Sequence, residues 1–375
     1  MSKLTKIILG VVATIIIIAV SAYVVYYSNT LYKKLHTSIT LVNKSFEKPT
    51  IIIVPIAEHG LPDYLNLVFY YCAINRTKLK PFEVLLKLYY DYREISGSKK
   101  YVVKYPNVIK LAQELGLEFN KTCIKLRPPL RIVYTKVPIG GGVLYASFIN
   151  CSEEFYKECL SKNNKTTCQK LCVNYINSIV NKTNINIVKA VYSTRTWYFI
   201  NLLLSRYIVL YGMLGTPEIV YLNTRTGSAL IYLGLQIAPG YGNYYLAVRE
   251  ALENNTVPLN FAQGVKKLFL TCLEATYTGN DTLIRACFGG ANAKTINNTK
   301  LFYIQTLSGK VYLGAYITGL SNKTLNTILT FVRKFGFIDV NGSSDLYVIM
   351  FVSPTCPFCK TEILSLIKVG VLKIS

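Results

Sequence analysis

Carboxylates are scarce in this chain of 375 residues: 19 Asp and Glu stand against 42 Lys and Arg, a formal charge of +23. Such a surplus first suggests a nucleic-acid partner. The lysines are scattered rather than clustered, however, and no recognised reader motif appears. A solvated basic surface near anionic lipid is therefore the better reading, with no nucleic acid as partner. Histidine is almost missing. With only His36 and His59, and a single Cys-x-x-Cys, the chain lacks the further ligands that a structural zinc site needs, so no metal is expected. Neither GKS nor GKT follows Gly140-Gly141-Gly142, which leaves a phosphate loop unsupported and a flexible turn as the reading.

Charge is also absent from Ile7 to Tyr32, an apolar stretch longer than the roughly 20 residues that cross a bilayer core as a helix. One transmembrane helix is expected, with residues 1–34 as membrane anchor. Lys3 and Lys6 precede it and Lys33 and Lys34 follow it, so neighbouring lysines do not orient it. The competing reading is a secretory signal cleaved near Ala19-Val20-Ser21, and either reading exports the remainder. Asn-x-Ser/Thr sequons stand at Asn43, Asn75, Asn120, Asn150, Asn164, Asn181, Asn254, Asn280, Asn297, Asn322 and Asn341. Random placement of the asparagines would give roughly four. The excess points to a glycosylated, exported surface, against the alternative of loops simply rich in Asn, Ser and Thr. The 10 cysteines, an even number, point to disulfides in the same compartment. The expected localisation is a cell membrane, single-pass, with the bulk outside the cytoplasm.

About 340 residues beyond the anchor can bury more than one core. Thr50 to Ile56 reads as a buried strand, followed by helical patterns over Leu61–Ala73, Pro81–Arg93 and Asn107–Leu115. Arg127 to Phe148 reads as extended around the glycine run, and Glu153 to Val180 as a helical hairpin turning at Lys162-Asn163-Asn164. Glu218–Leu222 and Ala229–Leu233 form a hairpin leading to a helix over Tyr244–Leu252. A similar hairpin and helix recur at Leu301–Gln305, Val311–Ala315 and Thr324–Phe335, as two related domains would show. Leu346 to Val352 is a strand and Cys356 to Ile367 a helix. The expected divisions are 45–255, 256–340 as a connecting or second half, and 341–375.

Chemistry concentrates in Ser353-Pro354-Thr355-Cys356-Pro357-Phe358-Cys359-Lys360, between that strand and that helix. At a helix N-terminus the first thiol meets free backbone N–H groups and the positive end of the dipole, which stabilise its thiolate. Cys356 is thus the attacking sulfur. Cys359, about one turn along, is placed to displace a mixed disulfide, with Pro357 and Phe358 between them. The alternatives are a zinc site, short of ligands, and an inert structural bridge.

These residues resemble the thioredoxin-like thiol–disulfide oxidoreductases of the DsbA type. Tyr211-Gly-Met-Leu-Gly-Thr-Pro217, running into Glu218–Leu222 and Ala229–Gly234, is similar to the family segment in which a cis-proline loop opens a hairpin. The resemblance implies a cis peptide at Pro217, packed beside the Cys-x-x-Cys, with Thr216 lining the substrate-facing groove. Leu61–Tyr90 and Val108–Leu117 through Cys123 resemble the DsbA helical insertion. The implied fold is α/β, a thioredoxin-like sheet with a helical insertion, preceded by one N-terminal transmembrane helix. The order of parts departs from the family. Thr50–Ile56 resembles the second family strand with no cysteine pair before it, while the first strand and its Cys-x-x-Cys helix come last. A circular permutation satisfies this order, and so does a tandem pair with truncated ends. Phe358 stands where DsbA usually has histidine, so a less oxidising pair is expected.

The other cysteines read as structural. Cys272 and Cys287 bracket a turn between two helical stretches, Cys159 and Cys168 flank the Asn163-Asn164 turn, and this leaves Cys151 with Cys172 and Cys72 with Cys123. Eight cysteines allow about a hundred connectivities, so that pairing is one among many. Two functional classes remain. One is an oxidoreductase or isomerase acting on exported proteins that carry thiols or disulfides, needing no cofactor beyond its cysteines and serviced by a redox partner of unknown identity. The other is a redox-silent surface module on the same fold.

Overall fold

An apolar run buried on both faces belongs inside a sheet, and Thr50–Pro55 (β1) is buried along its whole length. The computed structural model describes residues 48–58, 61–88, 91–94, 101–104, 108–124, 129–139, 142–180, 185–342 and 345–373. The expected anchor with its flanking lysines, His36, His59, the sequons at Asn43 and Asn181, and Gly140-Gly141 lie outside the described residues. Among the described residues no helix is long and apolar enough to cross a membrane.

After β1 come Leu61–Arg76 (α1) and Pro81–Leu88 (α2), the second started by a proline whose missing N–H is harmless there. Asp91–Glu94 (β2) and Tyr101–Lys104 (β3) pair antiparallel, so the helix expected through Arg93 ends at Leu88. The Tyr-Val-Val run of β3 favours extended backbone and gives β2 its partner. Next stand Val108–Glu114 (α3), a π-helical turn at Phe119–Cys123, the hairpin Leu130–Ile139 (β4) with Gly142–Cys151 (β5), and the helices Glu153–Leu160 (α4) and Lys165–Val180 (α5). Ser152 caps α4, its hydroxyl accepting from the Phe155 N–H. Ile185–Leu204 (α6) and Arg206–Leu210 (α7) precede the hairpin Glu218–Asn223 (β6) and Ser228–Leu233 (β7). Then follow Tyr244–Asn254 (α8), Leu259–Thr278 (α9), Asp281–Cys287 (α10), Asn292–Ile296 (β8), Thr299–Thr306 (β9), Gly309–Ile317 (β10), Asn322–Phe335 (α11), Phe337–Val340 (β11), Leu346–Val352 (β12) and Pro357–Lys368 (α12).

Eight strands make one mixed sheet in the order β11-β1-β12-β6-β7-β10-β9-β8. In it β12 runs parallel to β1, with Val348 opposite Ile51, and antiparallel to β6, with Val348 opposite Tyr221. The repeated hairpin does not seed a sheet of its own: β10 pairs with β7, Ala315 opposite Ile231. Strands from all three expected divisions therefore share one sheet. The helices expected as an insertion, Leu61–Tyr90 and Val108 through Cys123, are accompanied by a second sheet of four strands, β2-β3-β5-β4, of which β2 and β3 lie between them and β4 and β5 after them.

Alternation along the central strands supplies two cores. Ile51, Ile53, Ile219, Tyr221, Val348 and Met350 face a core shared with α1, α9 and α12. Ile52, Val54, Val220, Leu222, Ile349 and Phe351 face Trp197 and Ile200 of α6 and Ile328 and Val332 of α11. Gly314 permits the β9–β10 hairpin to pair with β7, since a Cβ there would lie 2.0 Å from the Ile231 carbonyl oxygen. The bulge between Tyr312 and Gly314 sits at the same point.

Four disulfides close local loops: Cys72–Cys123, Cys151–Cys172, Cys159–Cys168 and Cys272–Cys287. Two of them, Cys159–Cys168 and Cys272–Cys287, flank the turns noted above, and the other two join the cysteines that those left over. The last joins α9 to α10 across a separation of 15 residues, for which chain-entropy arguments give about 3 kcal/mol. The double variant Cys272→Ala/Cys287→Ala is expected to lose about 3 kcal/mol of stability and so to unfold at a lower urea concentration. A midpoint equal to that of the wild type would mean that the bond is not made.

Candidate functional site

The turn Ser353-Pro354-Thr355 ends β12 and delivers Cys356 to the start of α12. Pro357 occupies the first helical position, and Cys356 is the N-cap, its sulfur accepting the Cys359 N–H at 3.4 Å. The helix's positive end stabilises the thiolate of a sulfur in this place, so its proton is lost more readily. The Cys356 S–H in turn donates to the Thr216 carbonyl oxygen at 3.3 Å, and the Thr216–Pro217 peptide bond is cis. Cys356, Cys359 and the Thr216–Pro217 step thus come together, across a sequence separation of 140 residues between Thr216 and Cys356. Both thiols are free and buried. Phe358 between them is 44% exposed.

A buried carboxylate holds the turn. Asp63, in the first turn of α1, accepts from the Ser353 hydroxyl at 3.1 Å, from the Thr355 hydroxyl and from the Glu58 N–H at 3.0 Å. The first turn of a helix is a place that favours acidic side chains. The segments that follow β12 and β1 therefore meet on one side chain, and a second, Glu58, extends the link to the approach to β6. Glu58 completes that link by accepting the Thr216 N–H at 3.2 Å and the Thr216 hydroxyl.

Protonation separates the two thiols. Burial opposes the Cys356 thiolate, but the hydrogen bonds from the Cys359 thiol and N–H outweigh it, and the Cys356 thiol is held below the ordinary range. The Glu58 carboxylate pulls the other way. Burial, then the neighbouring Cys356, push the Cys359 thiol well up. The two shifts run in opposite directions, so the Cys356 sulfur ionises more readily than that of Cys359.

The chain matches no known family profile, no curated protein and no solved structure. What it can do must be read from its own atoms. Among the described residues no group of three or more His, Cys, Asp or Glu could hold a metal ion. Of the sequons, Asn75, Asn164, Asn254, Asn280, Asn297, Asn322 and Asn341 are exposed. Asn150 is half-buried, its side-chain oxygen accepting from the Tyr156 hydroxyl at 3.1 Å, and Asn120 sits in the π-helical turn.

Four carboxylates near the cysteine elements had not been singled out: Glu58, Asp63, Glu218 and Glu362. Glu218 directly follows Pro217 and is fully buried, bound by the Trp197 indole N–H at 2.9 Å and the Asn201 amide at 3.0 Å. Burial pushes it up to about 8 despite those bonds. Glu362, on α12, accepts the Gln236 N–H at 2.8 Å, and burial raises it well above the usual range. The available signal was a carboxylate embedded in an apolar strand or helix of a chain short of carboxylates. Because Glu218 keeps its proton in the fold but loses it near pH 4.3 once unfolded, it favours folding fully below that pH. That contribution, on the order of a few kcal/mol, fades as pH rises towards 8. Urea denaturation at pH 5 and pH 8 should therefore show a larger loss of stability for the wild type than for Glu218→Gln. Equal losses would show that Glu218 is ionised in the fold.

Proposed function

We propose that the chain is a membrane-anchored thiol–disulfide oxidoreductase or isomerase of the DsbA type, acting on exported proteins through Cys356 and Cys359. The observation that carries the reading is Cys356 at the N-cap of α12, its sulfur accepting one N–H from Cys359 and its S–H donating a hydrogen bond to the Thr216 carbonyl. An inert bridge needs neither a lowered first thiol nor a raised second one, and this pair has both. The family's segments would run in circularly permuted order. In favour of that order, β12 inserts between β1 and β6, and a cis peptide precedes β6 beside the first thiol. Under this reading residues 61–180 are the DsbA insertion, enlarged by a second sheet, and β8 to β10 are an addition to the thioredoxin-like sheet.

In the exchange the Cys356 thiolate attacks one sulfur of a client disulfide, a Cys356–client bond forms, and the other client sulfur leaves with the electron pair and takes up a proton. Cys359 then gives its proton to the departing client sulfur and attacks Cys356, closing the internal disulfide. Two electrons and two protons pass to the client, and the reverse sequence oxidises one. A separate redox partner resets the pair. Phe358 offers no cation to the thiolate, and Glu58 opposes it, so the pair should be less oxidising than one flanked by histidine. Export through the N-terminal apolar segment fits the four disulfides and the exposed sequons.

The trapping experiment is direct. Cys359→Ser, reduced and mixed with a disulfide-bonded client, should accumulate a covalent adduct that dithiothreitol releases. The double variant Cys356→Ser/Cys359→Ser should form none. Failure of Cys359→Ser to form an adduct would remove the enzyme reading.

A further inference from the structure

Beside Thr216 opens a groove of about 530 Å³, within the range of ligand sites. One side is the 211–216 loop leading to Pro217, the other is residues 310–313 of β10, and Glu58 joins the lining where it meets Thr216. Apolar surface comes from Leu214, Leu233, Val311 and Leu313. The far side is aromatic and cationic. The rings of Tyr211 and Tyr312 lie 5.2 Å apart, and Tyr303 packs on Tyr312 at 5.8 Å. Lys310 stands 4.5 Å over the Tyr303 ring and Lys294 5.8 Å over that of Tyr211. Lys310 is exposed and, among the described residues, forms no ion pair.

The groove therefore has polarity along its length. Next to the Cys356 thiol its carboxylate, Glu58, is engaged by Thr216. Along β10, Lys310 lies about 10 Å beyond Leu313 at the rise of a strand, with apolar side chains between. An occupant that meets Cys356 at one end must present sulfur there, then apolar groups, then a negative charge. Building on the exchange reading, we propose that this groove is the client-selecting subsite. It takes an extended polypeptide segment beside the reacting cysteine, with apolar residues next to that cysteine and an acidic residue within reach of Lys310. The β9–β10 hairpin supplies the selectivity, because Lys310, Val311 and Tyr312 all belong to it or its turn.

Peptides whose single cysteine is joined to a chromogenic aryl thiol provide the test. Cys356 sulfur bonds to the peptide sulfur, the peptide–aryl S–S bond breaks, and aryl thiolate leaves with the electron pair and is read by absorbance. The reduced full-length protein is given an apolar-flanked peptide ending in Glu, the same peptide ending in Lys, a version with Ser for the apolar residues, and a small aryl disulfide. The Glu peptide should exceed the Lys peptide about fivefold in the second-order rate constant of this single turnover, the scale of one exposed ion pair, and the Ser version by about tenfold or more. In Lys310→Glu the order of the Glu and Lys peptides should reverse, a ratio that does not depend on the fraction of variant that folds. Equal rates for all three peptides in the wild type, with the small disulfide still consumed, would overturn the subsite while leaving thiol exchange standing. No reaction with the small disulfide or any peptide would overturn both.

Discussion

The insertion of β12 between β1 and β6 is the constraint on which the cysteine pair depends. A strand whose seven residues are all buried must be covered on both faces, and only the centre of a sheet backed by helices on either side provides that. Its register, Val348 against Ile51 and Tyr221, decides where the following turn emerges. One residue of slip would exchange the two core faces and place Cys356 against the wrong surroundings. Position at the site is thus inherited from hydrophobic burial over the length of the strand. Asp63 then fixes the last few ångströms by tying the turn after β12 to α1 and to the segment after β1.

Electrostatics at the site works by contrast rather than by accumulated charge. The cation that commonly favours a thiolate is not among the groups acting on Cys356, whereas the carboxylate of Glu58 opposes its thiolate. Helix start, backbone N–H and the partner thiol nonetheless lower Cys356, and burial raises Cys359. The buried acids on either side of the sheet, Glu218 and Glu362, keep their protons in the fold. A chain with few carboxylates has placed several where water does not reach, and there a proton is cheaper to keep than a charge.

Much of this arrangement is legible in the sequence because its signals are local. Uniformly apolar runs mark β1 and β12, paired β-branched segments around Asn223–Gly227 mark a hairpin, and cysteines flanking short turns mark the bridges of α4–α5 and α9–α10. The cysteine motif and Thr216-Pro217 are equally local, and only their proximity is a tertiary fact. The parts that are hard to read have physical reasons. Charged Asp91–Glu94 is a strand only because Tyr101–Lys104 pairs with it. Ile185–Leu204 mixes β-branched and aromatic residues around the whole helix, so no single apolar face advertises it. The carboxylates acquire meaning only through partners such as Trp197, Thr216 and Gln236, which lie far from them in sequence or on the other side of a turn.

The claim at the centre is that Cys356 is an activated thiol and Cys359 a reserved one. Alkylation of the reduced full-length protein across pH, followed by mass spectrometric counting at each cysteine, measures both at once. Cys356 should be half-reactive below the value near 8.5 of an ordinary thiol, while Cys359 stays unmodified over the same range. A Cys356 profile centred at or above about 8.5, or prior reaction of Cys359, would contradict the account.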